Sequence, residues 1–184
     1  MKINKLELLE KWAYDNSIKK EDIVLVGSAV LAANNIRENN DLEFILSPNA
    51  KKVFDKHILK KIRYWGHVEV AENIDLFYNF AAVVGKSDKD IFKERRYSDV
   101  DGWNVLSMDI EYSYKYFLLR YLGGREKDKN DIQLMETSKK IVRDKINWLM
   151  YLYVCIKRRR EVLYYLSKAI FSKLMGVNEN EKNN

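Results

Sequence analysis

"GSAVLAANNIRENNDLEF", Gly27 to Phe44, decides the fold. It begins where one apolar run ends, "IVLV" at 23–26, and it leads into another, "DLEFIL" at 41–46. Short apolar runs bounded by turn residues predict buried strands. Between them "SAVLAANNI" predicts a short helix. The second run is the unusual one, because Asp41 and Glu43 alternate with Leu42 and Phe44. Successive side chains of a strand point to opposite faces, so both carboxylates share a face, roughly 6–7 Å apart at the backbone. Anions that close repel and raise each other's pKa, and a buried charge without a partner is costly. A shared divalent cation removes both penalties, and hard carboxylate oxygens suit Mg²⁺.

The rest of the chain is read outward from this stretch. Leu6, Leu8, Leu9, Trp12 and Ala13 follow a helical period. Pro48, the only proline, stops the second strand, and "NAKKVFDKHILKKI" at 49–62 predicts a helix. "HVEVAENIDLFYNFAAVV" at 67–84 reads as two strands, a hairpin turning near Glu72 and Asn73. "GKSDKDIFKERRYSDVDG" at 85–102 reads as an exposed loop with one short ordered piece, and "WNVLS" at 103–107 as a brief strand. From Met108 onward helices are expected, at 109–122, at 128–137, and once or twice more between 138 and 175. The expected class is α+β: a small mixed β-sheet core flanked by helices over 1–107, followed by a C-terminal helical region over 108–175. The polar end, 176–184, is expected to be disordered.

Bulk properties narrow the function classes. The chain has 184 residues, enough for one domain or a small two-part body. Its net charge of +6 favours an anionic ligand over a cationic one. Cys155 is the only cysteine, so neither an intrachain disulfide nor a cysteine zinc cluster is expected, and a cytoplasmic location is the simple expectation. The N-terminal "MKINKLELLEKWAYDN" carries no secretory apolar core. "WLMYLYVCI" at 148–156 is too short, at about 1.5 Å per residue, to cross a bilayer core of about 30 Å, so no transmembrane segment is expected.

Asp75, set between Ile74 and Leu76 in an apolar strand, is the candidate for a third carboxylate beside Asp41 and Glu43. Gly27 permits close backbone approach, and Ser28 is a candidate N-cap whose helix start and hydroxyl suit phosphate. Phosphates at the helix start and metal on the next strand would serve in-line phosphoryl or nucleotidyl transfer. The plain alternative is an edge strand with Asp41 in solvent, Glu43 paired to a lysine, and Gly27–Ser28 as an ordinary turn.

The segment "VGSAVLAANNIRENNDLEF" resembles the signature of the nucleotidyltransferase superfamily, the DNA polymerase β-like fold: apolar strand, Gly-Ser, helix, then Asp-x-Glu. With "NIDLFYN" at 73–79 it is similar to small nucleotidyltransferases of the lincosamide and aminoglycoside type, in which an arginine, here Arg37, precedes the carboxylate pair. "DGWNVLSMDIEYSYKYFLLRYLGGREKDKNDIQLM" at 101–135 resembles the segment after the sheet in those enzymes and in abortive-infection nucleotidyltransferase toxins. It carries Lys115 on a helix, then Lys127, Asp128 and Asp131. The resemblance implies an enzyme that moves an NMP from an NTP to an acceptor hydroxyl, on a small molecule, and releases pyrophosphate. Asp41, Glu43 and Asp75 would hold Mg²⁺, as two ions, with Asp75 as third ligand or general base. Gly27, Ser28, Arg37, Lys115 and Lys127 would bind the nucleotide. Two alternatives stay open: a toxin-like member acting on RNA or protein, and a non-catalytic nucleotide-binding or scaffold member.

Arg37 and Lys115 could equally be surface residues, and Asp128 suits a helix cap. His57 and His67 read as surface histidines. Between Lys139 and Lys173 stand ten Lys or Arg against two Asp or Glu, densest at "KRRR", 157–160. Apolar residues from Ile146 to Leu174 recur through it, giving a basic amphipathic helix or helix pair. Such a surface packs on the core with solvated charges, or it meets an anionic acceptor, nucleic acid or a membrane surface.

Overall fold

The computed structural model describes residues 2–54, 66–121 and 124–138. The end of the helix expected over 49–62, the helices expected beyond 138, the basic run at 157–160 and the 176–184 tail lie outside the described residues, as do His57 and Cys155.

The described chain is a mixed α/β fold with six helices and one six-stranded mixed sheet. In chain order the elements are α1 (Leu6–Asp15), β1 (Ile23–Val26), α2 (Ser28–Ala33), β2 (Leu42–Leu46), α3 (Pro48–Phe54), β3 (Gly66–Ala71), β4 (Ile74–Tyr78), α4 (Asp88–Lys93), β5 (Tyr97–Val100), β6 (Trp103–Leu106), α5 (Met108–Tyr121) and α6 (Glu126–Ser138). The strand order is β3-β4-β2-β1-β6-β5. β1 runs antiparallel to β2 and parallel to β6, and β2 runs parallel to β4. Two antiparallel hairpins, β3–β4 and β5–β6, close the edges.

Local sequence explains most of these elements. All four residues of β1 are buried, as a strand covered on both faces requires. Pro48 occupies the first position of α3, where its missing N–H is no loss, and the Ser47 hydroxyl accepts from the Ala50 amide at 3.2 Å. Ser87 and Asp90 form a reciprocal capping box at α4. The β3–β4 hairpin turns at Glu72 and Asn73, with Asn73 at φ 57°.

The two faces of the sheet are covered differently. Trp12 of α1 packs on Phe44 at 5.0 Å between ring centroids and on Phe54 at 5.4 Å. On the opposite face Phe77 meets Phe80 at 5.3 Å, and Phe80 meets Tyr114 of α5 at 4.1 Å. Leu8 is half exposed although it shares the helical period, because α1 buries only the side carrying Leu9, Trp12 and Ala13. The segment before α1 is pinned to the loop before β2. Asn4 donates from its backbone N–H to Asn39 Oδ1 (2.8 Å) and from its side chain to the Asn39 carbonyl (3.1 Å). Asn39, buried, donates to the carbonyls of Asn4 (3.2 Å) and Asp41 (3.0 Å).

The expected loop at 85–102 is a correction. It holds α4 and the whole edge strand β5, whose residues pair with β6 from Tyr97↔Leu106 to Val100↔Trp103. No helix among the described residues is long and apolar enough to cross a membrane.

Candidate active site

The register of the sheet sets three carboxylates in one lateral row. Glu43 of β2 lies opposite Asp75 of β4, and Asp75 lies opposite Glu69 of β3. Directly paired residues of neighbouring strands share a face. The row therefore projects on the Phe77 side, toward α5. Asp41 comes immediately before β2, rather than inside it, and its charge acts on both Glu43 and Asp75. Burial, then the charges of Glu111 and Asp41, push the Glu43 carboxyl up to about 7. Burial likewise raises Asp75; the nearby His67 opposes this and Glu69 and Asp41 add to it. Asp41 ends below its usual range. Burial works against it, but the Ser28 hydroxyl and the charges of Lys127 and Arg37 outweigh that.

The Gly27–Ser28 turn is built around these acids. Gly27 has φ +64°, a conformation that favours glycine. A Cβ there would lie 1.5 Å from Glu43 Oε2 and 2.6 Å from its Cδ. The close approach that glycine permits is thus taken by the Glu43 carboxylate. From the other direction the Gly27 amide donates to Glu111 Oε2 at 2.9 Å. Gly27, and not Ser28, is the N-cap of α2, and the Ser28 hydroxyl contacts Asp41 Oδ1 (2.8 Å) and the Asp41 carbonyl oxygen (3.1 Å). Both donors expected to face phosphate are engaged inside the protein.

The later block of the chain meets the earlier one through charge. Asp131 accepts from Arg37 Nε at 2.5 Å and Nη2 at 2.9 Å, a bidentate pair across 94 residues of sequence. Lys115 lies 2.9 Å from Asp131, 3.6 Å from Glu111 and 3.8 Å from Asp128. Its own burial disfavours the charge, yet Glu111 and Asp131 hold its pKa above the ordinary value. Burial raises Glu111 against the opposing effects of Lys115 and the Gly27 amide, and no described residue donates a hydrogen bond to Glu111 Oε1, which lies 3.6 Å from Lys115 Nζ. Asp128 accepts the Arg125 backbone N–H at 3.1 Å, the capping role its position suggested, and also contacts the Arg125 side chain. Lys127 Nζ stands 4.0 Å from Asp41 Oδ2.

The structure therefore gathers Gly27, Ser28, Asp41, Glu43, Asp75 and Lys127 around one patch. Arg37 and Lys115 converge beside it on Asp131. His67 is exposed and stacked on Phe77 at 5.0 Å, next to Asp75. Three groups escape a reading of the sequence by local pattern: Glu111, Glu69 and Arg125. Glu111 stands four residues before Lys115, one helical turn, and Glu69 shares a strand face with His67, so both had a periodic signal.

No three carboxylate, imidazole or thiol groups among the described residues converge closely enough to hold a metal ion by themselves. The donor chemistry nonetheless suits Mg²⁺. It is commonly bound by one or two carboxylates plus substrate phosphates and water, rather than in an all-protein cage. Burial first, and then the neighbouring carboxylates, raise Glu43 and Asp75, and a cation would relieve the like-charge part. No protein-family model matches the chain, and no curated protein matches it.

Proposed function

We propose that the chain is a nucleotidyltransferase that moves a nucleoside monophosphate from an NTP to a hydroxyl of a small-molecule acceptor. The observation that carries this reading is convergence. Asp41, Glu43 and Asp75 form a carboxylate patch, and Lys127, from a block of sequence far from the first, stands at its rim. Asp41 and Glu43 would hold Mg²⁺, which supplies charge neutralisation at the phosphates when bound.

The acceptor oxygen attacks the α-phosphorus, the bond from that phosphorus to the bridging oxygen breaks, and pyrophosphate leaves. Asp75 takes the hydroxyl proton. A carboxyl held above its usual range is a stronger base than a free aspartate, which suits that task. Ser28 orients Asp41 by its hydrogen bond. Glu111, Lys115, Asp131 and Arg37 form the buried ionic frame that fixes the turn against α5 and α6. A cytoplasmic setting, where NTPs are abundant, accompanies this reading.

The test is direct. Each of the four α-labelled NTPs is incubated with the protein, Mg²⁺ and a panel of hydroxylated acceptors, and pyrophosphate release is followed. Asp41→Asn should abolish release while the protein stays folded. Wild-type protein that neither binds an NTP nor releases pyrophosphate refutes the reading.

A further inference from the structure

We propose that the acceptor carries a flat conjugated ring close to its reacting hydroxyl, and that this ring stacks on the exposed imidazole of His67, at the edge of the sheet beside Asp75. This rests on the nucleotidyltransferase reading for the hydroxyl and its proton acceptor, and on strand register and ring geometry for the stacking surface.

Register places the ring. β3 is an edge strand, and its His67 and Glu69 lie opposite Phe77 and Asp75 of β4. Alternation puts all four side chains on one face, the face of the row Glu69, Asp75 and Glu43. His67 and Asp75 are diagonal neighbours across the hairpin, about 7–8 Å apart at the backbone, within reach for a ring-bearing side chain. The strand order β3-β4-β2-β1 sets His67 on the outer side of Asp75 and the Gly27–Ser28 turn, after β1, on the inner side. A nucleotide whose phosphates meet the metal at Asp41 and Glu43 lies over β2. An acceptor whose hydroxyl meets Asp75 is left the outer side, where His67 stands.

The ring is held as a platform. His67 lies nearly parallel to Phe77, with 24° between the planes and 5.0 Å between the centroids. Phe77, 8% exposed, meets Phe80 edge-on at 81° and 5.3 Å, and the buried Phe80 packs on Tyr114 of α5 at 4.1 Å. A buried aromatic column thus backs the imidazole, while His67 itself is exposed. A side chain fixed in advance loses little freedom on binding, and offset stacked rings gain beyond the area they bury. A saturated, puckered ring meets such a surface at a few atoms only. Tyr14, 84% exposed, offers no rival surface at the site, because it stands on α1, which covers the other face of the sheet. The plain alternative is an edge histidine that only shields Phe77, and it requires no ligand.

Two matched pairs of alcohols serve as probes: uridine with dihydrouridine, and benzyl alcohol with cyclohexylmethanol. The first of each pair carries a flat conjugated ring and the second a saturated one. The proteins are wild type, His67→Phe and His67→Val, each checked for folding by circular dichroism; valine suits a strand and covers Phe77 without offering a flat face. Binding is read without nucleotide from the histidine Cε1–H signals in proton NMR. The chain has two histidines, and the His67 signal is the one missing from His67→Phe. Flat-ring probes should move that signal upfield, and their saturated partners should leave it in place. Turnover is read as pyrophosphate release with Mg²⁺ and each NTP. His67→Val should raise KM for a flat-ring acceptor about tenfold, the loss of one stacking contact, and leave kcat and the KM for NTP within about twofold. His67→Phe, which keeps a flat face, should stay within about threefold of wild type. The proposal is overturned if the members of each pair affect the His67 signal alike, or if His67→Val keeps the wild-type KM for the acceptor. It is also overturned if the NTPs shift the signal and the alcohols do not, which gives the ring to the nucleotide. In each of these cases pyrophosphate release by wild type leaves the nucleotidyltransferase reading standing. Wild type that neither binds an NTP nor releases pyrophosphate refutes both.

Discussion

Replacing Gly27 by alanine tests the geometry from which the site is built. The new Cβ would have to occupy a point 1.5 Å from Glu43 Oε2 at φ +64°. The dihedral alone costs about 1–3 kcal/mol for a residue with a side chain. Displacing a packed group adds roughly 1–3 kcal/mol. The sum, about 4 kcal/mol, corresponds to a Tm drop of roughly 8–16 °C for a chain of this size. The two parts can be separated, because only the second depends on Glu43. In an Glu43→Ala background, Gly27→Ala should cost only the dihedral part, about 2 kcal/mol, leaving a coupling energy of about 2 kcal/mol. Thermal and urea unfolding of the four proteins of this cycle, followed by circular dichroism without metal, measures it. A Gly27→Ala protein within about 1 kcal/mol of wild type, or a coupling near zero, would refute the contact between the turn and Glu43.

Glu43 also sets a pH dependence. Its folded pKa of about 7 lies above the ordinary 4.5, so the folded state holds a proton that the unfolded state has lost, and stability falls as pH rises from about 4.5 through 7. Glu43→Gln should flatten that decline and melt higher than wild type at pH 8 in the absence of metal; a decline unchanged in the variant would assign it elsewhere. Asp75→Asn should leave metal-free stability unchanged or raised and lower turnover by about 100-fold or more, measured as pyrophosphate release; a destabilised but fully active variant would make Asp75 structural. Asp131→Asn removes the shared partner of Arg37 and Lys115 and should cost about 3 kcal/mol in urea unfolding, the loss typical when one member of a buried ionic cluster is deleted. An Asp131→Asn protein with wild-type midpoint would mean that the cluster contributes little.

The legible parts of the fold were those with strong local periodicity. β1 is a buried apolar run, Glu43 alternates with the buried Leu42 and Phe44 of β2 while Asp41 lies just before the strand, and the β3–β4 hairpin turns where Glu72 and Asn73 break the pattern. The edge strand β5 carries no strand signal in the sequence, because "YSDV" is polar and a half-exposed edge strand needs no apolar alternation. The Asp101–Gly102 pair, both at positive φ, was the available hairpin signal. At the site, the register that places Glu43 beside Asp75 follows from the strand pattern. The partner of the Gly27 amide does not, because Glu111 is 84 residues away and is buried by tertiary packing alone. A serine hydroxyl read as a phosphate donor proved to bind its neighbour across the turn, and such a choice is made by distance in space, which a sequence pattern does not record.

Asn39 makes the N-terminal segment a remote control on Asp41. The same amide group that donates to the Asp41 carbonyl also donates to Asn4, and its oxygen receives the Asn4 backbone N–H. A chain shortened by residues 1–5 would leave a buried amide with one of its three hydrogen bonds, two positions from the carboxylate nearest the cationic rim. Any cleavage, fusion or bound partner that takes hold of that arm would therefore reach the Asp41 backbone without touching Asp41 itself.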